Sequence, residues 1–268
     1  MLRTSLVCIA FISLACSAPM ASGQVGAEPA TAPKTVEAIL GNSPTFEQLQ
    51  GLFDKRYLEW TEIMKAQNDL EEPQWVPPPS DEFFPYFQKA AMAGEADAMV
   101  WVLDNSWTSS MPRIELRDLK LHCVQGLAEL GGNKHYLKTV AQSLMNEWDS
   151  ETAVSWSTAD QILRELNFKA DVADLETRAL LLFARYRVHE SRPGTMGDAL
   201  ALQILKTLAK DFANTGSGSQ AKGLLFRKQY LQVGMRAPYF SGEDVDGNPI
   251  SLRDYKGKVV YLVFWGFW

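Results

Sequence analysis

Residues 233–268 read VGMRAPYFSGEDVDGNPISLRDYKGKVVYLVFWGFW. Ala237-Pro238 forces an extended approach, because the proline ring disfavours helix at the residue before it. Asp246-Gly247-Asn248, set between 240–245 and 250–252, is the short-range signature of a tight hairpin, where glycine tolerates positive φ. Residues 253–256 fit a single helical turn closed by Gly257. Residues 259–265 contain no charged side chain, only the Tyr261 hydroxyl and the Trp265 indole as polar groups, and are rich in β-branched and aromatic types. They are too few to span a bilayer, so they predict a central strand buried on both faces.

Working outward, the rest of the chain changes character. Residues 24–42 include an Ala/Pro-rich run, 26–34, without periodicity, which predicts a flexible leader. Ser43-Pro44 has the form of a helix start, a capping hydroxyl followed by proline. Phe46, Leu49, Phe53, Trp60 and Met64 then recur at helical steps, predicting one apolar face through about residue 68. Five prolines break the pattern over 73–85. Trp75, Phe83 and Phe84 suggest that this linker lies against the body, packing being the reading preferred over a ligand groove.

From Tyr86 the pattern is almost continuously helical, cut at Gly94, Met111-Pro112, Gly131-Gly132, Asp149-Ser150, 167–170, 192–194 and 214–219. Leu116, Leu119, Cys123, Leu127 and Leu130 form one apolar stripe, and Leu137, Val140, Leu144 and Trp148 a second. Leu175, Ala179, Leu182 and Tyr186 are followed by Ile204, Leu205, Leu208 and Phe212. Each stripe needs a neighbour to cover it, and short breaks favour antiparallel neighbours, so 43–231 predicts a solenoid-like helical array. Ala90, Gly94 and Ala98, small residues at one-turn spacing, resemble those of tetratricopeptide-like repeats, without a clean repeat period.

The carboxyl-terminal stretch resembles the start of a redoxin domain, of the thioredoxin-like superfamily that holds the alkyl hydroperoxide reductase/thiol-specific antioxidant proteins and the extracytoplasmic thiol-disulfide oxidoreductases. The residues that carry it are Gly234, Ala237-Pro238, Phe240, Asp246-Gly247, Ile250, Leu252, Tyr255, Gly257-Lys258, Phe264-Trp265 and Trp268. The fold this implies is mainly α, a helical array followed by the first strands of an incomplete α/β thioredoxin-like domain over 232–268. In that family the run continues into W-C-x-x-C, which this sequence does not contain. The expectation is therefore a fragment of a thiol-disulfide oxidoreductase or thiol peroxidase, inactive by itself, with an unknown redox partner protein. No residue is assigned a catalytic, cofactor-binding or metal-binding role. The alternative is a non-enzymatic helical-repeat binding module whose terminal strand adds to a partner's sheet.

Composition narrows the function classes further. A net charge of −6 disfavours nucleic acid, whose binding needs a basic face to displace counterions. Residues 1–23 combine Arg3, an apolar run over 6–15 and the small-residue site Ala21-Ser22-Gly23, the pattern of a secretory signal peptide cleaved before Gln24. A secreted or periplasmic destination follows, with no transmembrane span after signal removal. A lipid anchor at Cys16 is the lesser option, because Ser13 stands where lipoboxes usually carry leucine. Cys123 then remains as a lone thiol, expected in the core.

Other motifs fail on spacing. His122, His135 and His189 show no ligand pairing. Asp244-x-Asp246-Gly247 has its glycine two places too early for a calcium loop. Gly216-Ser217-Gly218 lacks the strand and lysine of a phosphate cradle and predicts a flexible inter-helix loop. Glu71-Glu72 and Asp81-Glu82 are expected as turn or helix-start charges.

Overall fold

The computed structural model describes residues 35–67, 74–145, 153–191, 195–244 and 246–263. Among these the protein is mainly helical: α1 (Val36–Leu40), α2 (Phe46–Gln67), α3 (Ser80–Met92), α4 (Ala96–Asn105), α5 (Arg113–Leu130), α6 (Lys134–Met145), α7 (Trp156–Lys169), α8 (Leu175–Glu190), α9 (Thr195–Asp211) and α10 (Gly216–Tyr230). One antiparallel hairpin follows, β1 (Ser241–Glu243) with β2 (Pro249–Ser251), then a 3₁₀ turn over Leu252–Tyr255.

The helices stack in two rows. Each of α3 to α6 packs on the next in sequence and also on the next but one, as α4 does on α6 and α6 on α8, and α7 to α10 continue the stack through α8. This is the solenoid-like array that the stripes imply, since a helix with one apolar face is buried only by neighbours on both sides. Two hydrophobic clusters result. The larger runs from Val36 to Val188, and the second joins Ala179, Phe183 and Tyr186 to Ile204, Leu205, Leu208, Phe212 and Ala221. Helix α8 supplies side chains to both.

Local rules set the helix ends. The cap of α2 is Thr45, not Ser43: its Oγ1 accepts from the Gln48 N–H at 3.3 Å, while Gln48 Oε1 accepts from the Thr45 N–H at 3.0 Å. This reciprocal pair satisfies two otherwise orphaned donors, which Ser43-Pro44 cannot do. Within the span expected as a leader, α1 buries Val36 in the larger cluster.

The proline-rich linker is shorter than its sequence suggests. Helix α3 begins at Ser80 and carries Pro85 inside it. A proline there forfeits one backbone hydrogen bond, and burial of Phe83 and Phe84 offsets the loss. Asp81 and Glu82 occupy its first turn, where the helix dipole favours acids. Both are engaged, Asp81 with the Ser110 N–H at 2.9 Å and Glu82 with Arg56. The linker does lie against the body: Trp60 Nε1 donates to the Val76 carbonyl at 2.9 Å, and the Trp75 ring packs edge-on to Trp60. Glu71-Glu72 and Trp148 lie outside the described residues.

Candidate functional site

The hairpin is built around Asp244, the first residue of the stretch whose spacing fails as a calcium loop. Asp244 Oδ1 accepts from the backbone N–H groups of Asp246 and Asn248, at 2.9 and 2.8 Å, and Oδ2 accepts from Asn248 Nδ2 at 3.1 Å. The side chain thereby stands in for backbone, as aspartate does in such turns. These bonds, first the one from the Asn248 side chain, hold the Asp244 carboxyl below the usual carboxylate range. Gly247 takes φ +81°, which a residue with a Cβ rarely adopts. The turn thus spans 244–248 and not only Asp246-Gly247-Asn248. With its carboxylate engaged by two backbone donors and one side-chain donor, Asp244 serves the turn.

The pairing that follows is Ser241 with Ser251, Gly242 with Ile250 and Glu243 with Pro249. Ser251 caps the 3₁₀ turn: its Oγ accepts from the Arg253 N–H while Asp254 Oδ2 accepts from the Ser251 N–H. Gly257, at φ +84°, releases the chain toward the apolar run. Arg236 and Arg253 place their guanidinium groups 4.8 and 4.7 Å from the Tyr239 ring, and Lys258 lies over Tyr255. Leu252 and Val260 floor an open cleft of about 460 Å³ between these cations.

The buried strand expected over 259–265 is not formed in its described part. Residues 259–263 form neither helix nor strand, with Val259 fully exposed and Tyr261 91% exposed. A strand exists only with a ladder partner, and among the described residues none lies beside this run. Residues 264–265 lie outside the described part. No cysteine or histidine occurs in 232–263, so this region contains no thiol or imidazole nucleophile.

The remaining chemical side chains are spread through the helical array. Cys123 is wholly buried on α5, and burial pushes its thiol up to about 12. His122 approaches the Ala91 carbonyl at 3.4 Å, and His135 packs beside Tyr136. His189 is buried and meets Asp160 Oδ1 through Nε2 at 2.8 Å. The structure does not bring the three histidines together, and among the described residues no group of three or more His, Cys, Asp or Glu could hold a metal.

Around His189 lies a polar knot that the sequence reading missed. Asp160 accepts from Arg185 Nε at 2.9 Å and pairs with Arg164 at 3.1 Å, as well as meeting His189. Burial alone would raise the Asp160 carboxyl, but the bonds from His189 and Arg185 outweigh it and hold the group below its usual range. Its members are two pairs at one-turn spacing, Asp160 with Arg164 on α7 and Arg185 with His189 on α8, and neither pair records in the sequence that it meets the other. Gly216-Ser217-Gly218 also departs from expectation: it forms the first turn of α10, with Thr215 Oγ1 accepting from the Gly218 N–H at 3.0 Å.

Comparison with known proteins gives one consistent relationship. A stretch of 47 residues is 45% identical to thiol-disulfide oxidoreductase ResA of Bacillus thuringiensis (strain Al Hakam), covering 18% of this chain and 27% of that protein. ResA of Bacillus anthracis matches to the same extent, and ResA of Bacillus subtilis (strain 168) is 49% identical over 41 residues. The chain therefore spans about a quarter of the length of these curated relatives. No family model matches the chain, and no solved structure matches it. Over that short stretch the protein is related to the thioredoxin-like thiol-disulfide oxidoreductases.

Proposed function

We propose that residues 232–268 are the opening segment of a redoxin-type thiol-disulfide oxidoreductase domain, carried on the helical unit 43–231 and working outside the cytoplasm. The observation that carries this reading is the 45% identity to ResA over 47 residues. The hairpin, the Ser251-Asp254 cap and the Gly257 turn support it, because they lead directly into an almost wholly apolar run. In a thioredoxin-like sheet such a run is the central strand, and its far end presents the C-x-x-C pair at a helix N-terminus, where the dipole favours the thiolate. The basic, apolar and small-residue pattern of residues 1–23 supports export. No described helix is long and apolar enough to cross a membrane.

The chemistry such a domain performs is thiol-disulfide exchange: a thiolate attacks a partner's disulfide, and a second thiol resolves the mixed disulfide. Whether peroxide or a protein disulfide is the oxidant depends on residues around that pair. The role of this chain's own residues is structural support. Asp244, Ser251 and Asp254 fix the hairpin and the turn, and Leu252 and Val260 offer the apolar floor on which the rest of a sheet closes.

A graft tests the proposal. Residues 232–268 replace the matching stretch of ResA from Bacillus subtilis, and insulin-disulfide reduction is measured against the parent. Retained folding and activity within about tenfold is the expected result. A chimera that accumulates in soluble, folded form yet has lost the activity sinks the assignment.

A further inference from the structure

Independently of the redoxin reading, the helical unit carries a cleft with an uneven chemistry. It measures about 460 Å³ and is lined by Arg164, Asn167, Phe168, Ala170, Val172 and Arg178, at the end of α7, the connector after it and the start of α8. Two guanidinium groups and no carboxylate line it, in a chain of net charge −6. Arg164 shares Asp160 with Arg185 and His189. Arg178 has no ion pair among the described residues. Its guanidinium carbon lies 5.8 Å from the Phe212 ring, and its Nε is buried without a hydrogen-bond partner. The nearby acids are turned to other uses. Asp171 Oδ1 accepts from the Ala173 N–H, Asp174 caps α8 and pairs with Lys134, and Glu165 lies on the other flank of Phe168 with Lys169.

The walls are as unusual as the charge. Phe168 is 92% exposed and Val172 75% exposed, on the rim of a cleft whose floor, Ala170, is buried. Water gains from the covering of both side chains, so the site suits a ligand with an apolar group. Asn167 narrows the class further. Its Nδ2 is donated to the Arg178 carbonyl at 3.0 Å, which leaves Oδ1 as an acceptor for a ligand N–H.

We propose that this cleft binds the carboxyl terminus of a peptide ending in a large apolar residue. The terminal carboxylate pairs with Arg178, assisted by Arg164; the last side chain covers Phe168 and Val172; and a backbone N–H donates to Asn167. A guanidinium fork matches a carboxylate geometrically as well as electrically. A fatty acid shares the carboxylate and the hydrocarbon but has no N–H for Asn167.

The test uses the whole chain and three probes: a fluorescein-labelled tetrapeptide ending in leucine-phenylalanine with a free carboxylate, the same peptide as its C-terminal amide, and octanoate as competitor. Fluorescence anisotropy is expected to give a Kd on the order of 10–100 μM for the free acid and binding at least about tenfold weaker for the amide. Arg178→Gln is expected to lose about tenfold, and Phe168→Ser several-fold, with far-UV circular dichroism checking the fold of each. Because Phe168 is almost wholly in solvent, the second variant stays informative if the first disturbs packing. The proposal is overturned by equal affinity for acid and amide, by octanoate displacing the peptide as strongly as unlabelled peptide does, by indifference to both substitutions, or by no saturable binding up to about 1 mM.

Discussion

Asp160 is a single carboxylate holding three cationic or polar partners on two helices, and its burial makes that arrangement consequential. Removing it leaves Arg185 without its counter-charge and His189 Nε2 without its hydrogen-bond partner, so Asp160→Ala is expected to destabilise by about 3 kcal/mol in urea unfolding. The pH dependence follows in sign. The folded chain holds this carboxyl below its ordinary value of about 4, so its contribution is complete above that value and is lost as the pH falls through the lower folded one. Asp160→Asn should flatten this acid limb. Cys123 makes the opposite case, a thiol with no polar duty. Wholly buried and pushed up to about 12, it should resist an aromatic disulfide reagent in native buffer and react at once in denaturant. Rapid labelling of the native protein, or insulin reduction dependent on Cys123, would contradict its place in the core.

At the scale of elements, the ends of the helices decide more than their middles. At the junction of α9 and α10, Thr215 Oγ1 donates to the Phe212 carbonyl and accepts from the Gly218 N–H, at 2.8 and 3.0 Å. A Cβ on Gly218 would stand 1.9 Å from the Phe212 carbonyl oxygen, which is backbone and cannot step aside. Gly218→Ala is therefore expected to cost more than about 2 kcal/mol. Gly126 on α5 is the control: a Cβ there meets only the end of the Met99 side chain, at 2.8 Å, which can rotate. Gly126→Ala should cost under about 1 kcal/mol, and thermal melts of the two variants give the comparison. The hairpin shows the same dependence on ends. Asp246-Gly247-Asn248 marks the turn in the sequence, yet the bonds that hold it come from Asp244, outside that signature.

Across the whole molecule, α8 is the wall shared by both hydrophobic clusters: Leu181, Ala184 and Val188 serve the larger, and Ala179, Phe183 and Tyr186 the second. Such sharing couples the two, because neither cluster can open without exposing one face of α8. Leu208, wholly buried in the second cluster, tests this. Leu208→Ala is expected to cost about 2–5 kcal/mol and to shift tryptophan fluorescence and far-UV circular dichroism together. The described tryptophans Trp60, Trp75, Trp101, Trp107 and Trp156 precede α8. A fluorescence midpoint left in place while helicity falls earlier would show the clusters to be independent.

How much was legible beforehand follows from range in the chain. Stripes such as Leu116-Leu119-Cys123-Leu127 and the turn signal Asp246-Gly247-Asn248 declare their preferences within a few residues, so the helical array and the hairpin could be read directly, whereas the run 259–265 needs a ladder partner from elsewhere to become a strand. Thr45 replacing Ser43 as a cap, α3 reaching back through Pro85, and the first turn of α10 at Gly216 turn on which local option tertiary burial stabilises. The Asp160 knot and the Arg164-Arg178 cleft join residues 14 to 29 positions apart on neighbouring elements, and no periodicity records such a meeting. The sequence alone determined that this protein is a stack of one-faced helices leading to a hairpin, because propensity and hydrophobic spacing act locally. Only the tertiary structure decided which charges are buried together and which apolar side chains stay in water, because solvation depends on every neighbour that folding brings near.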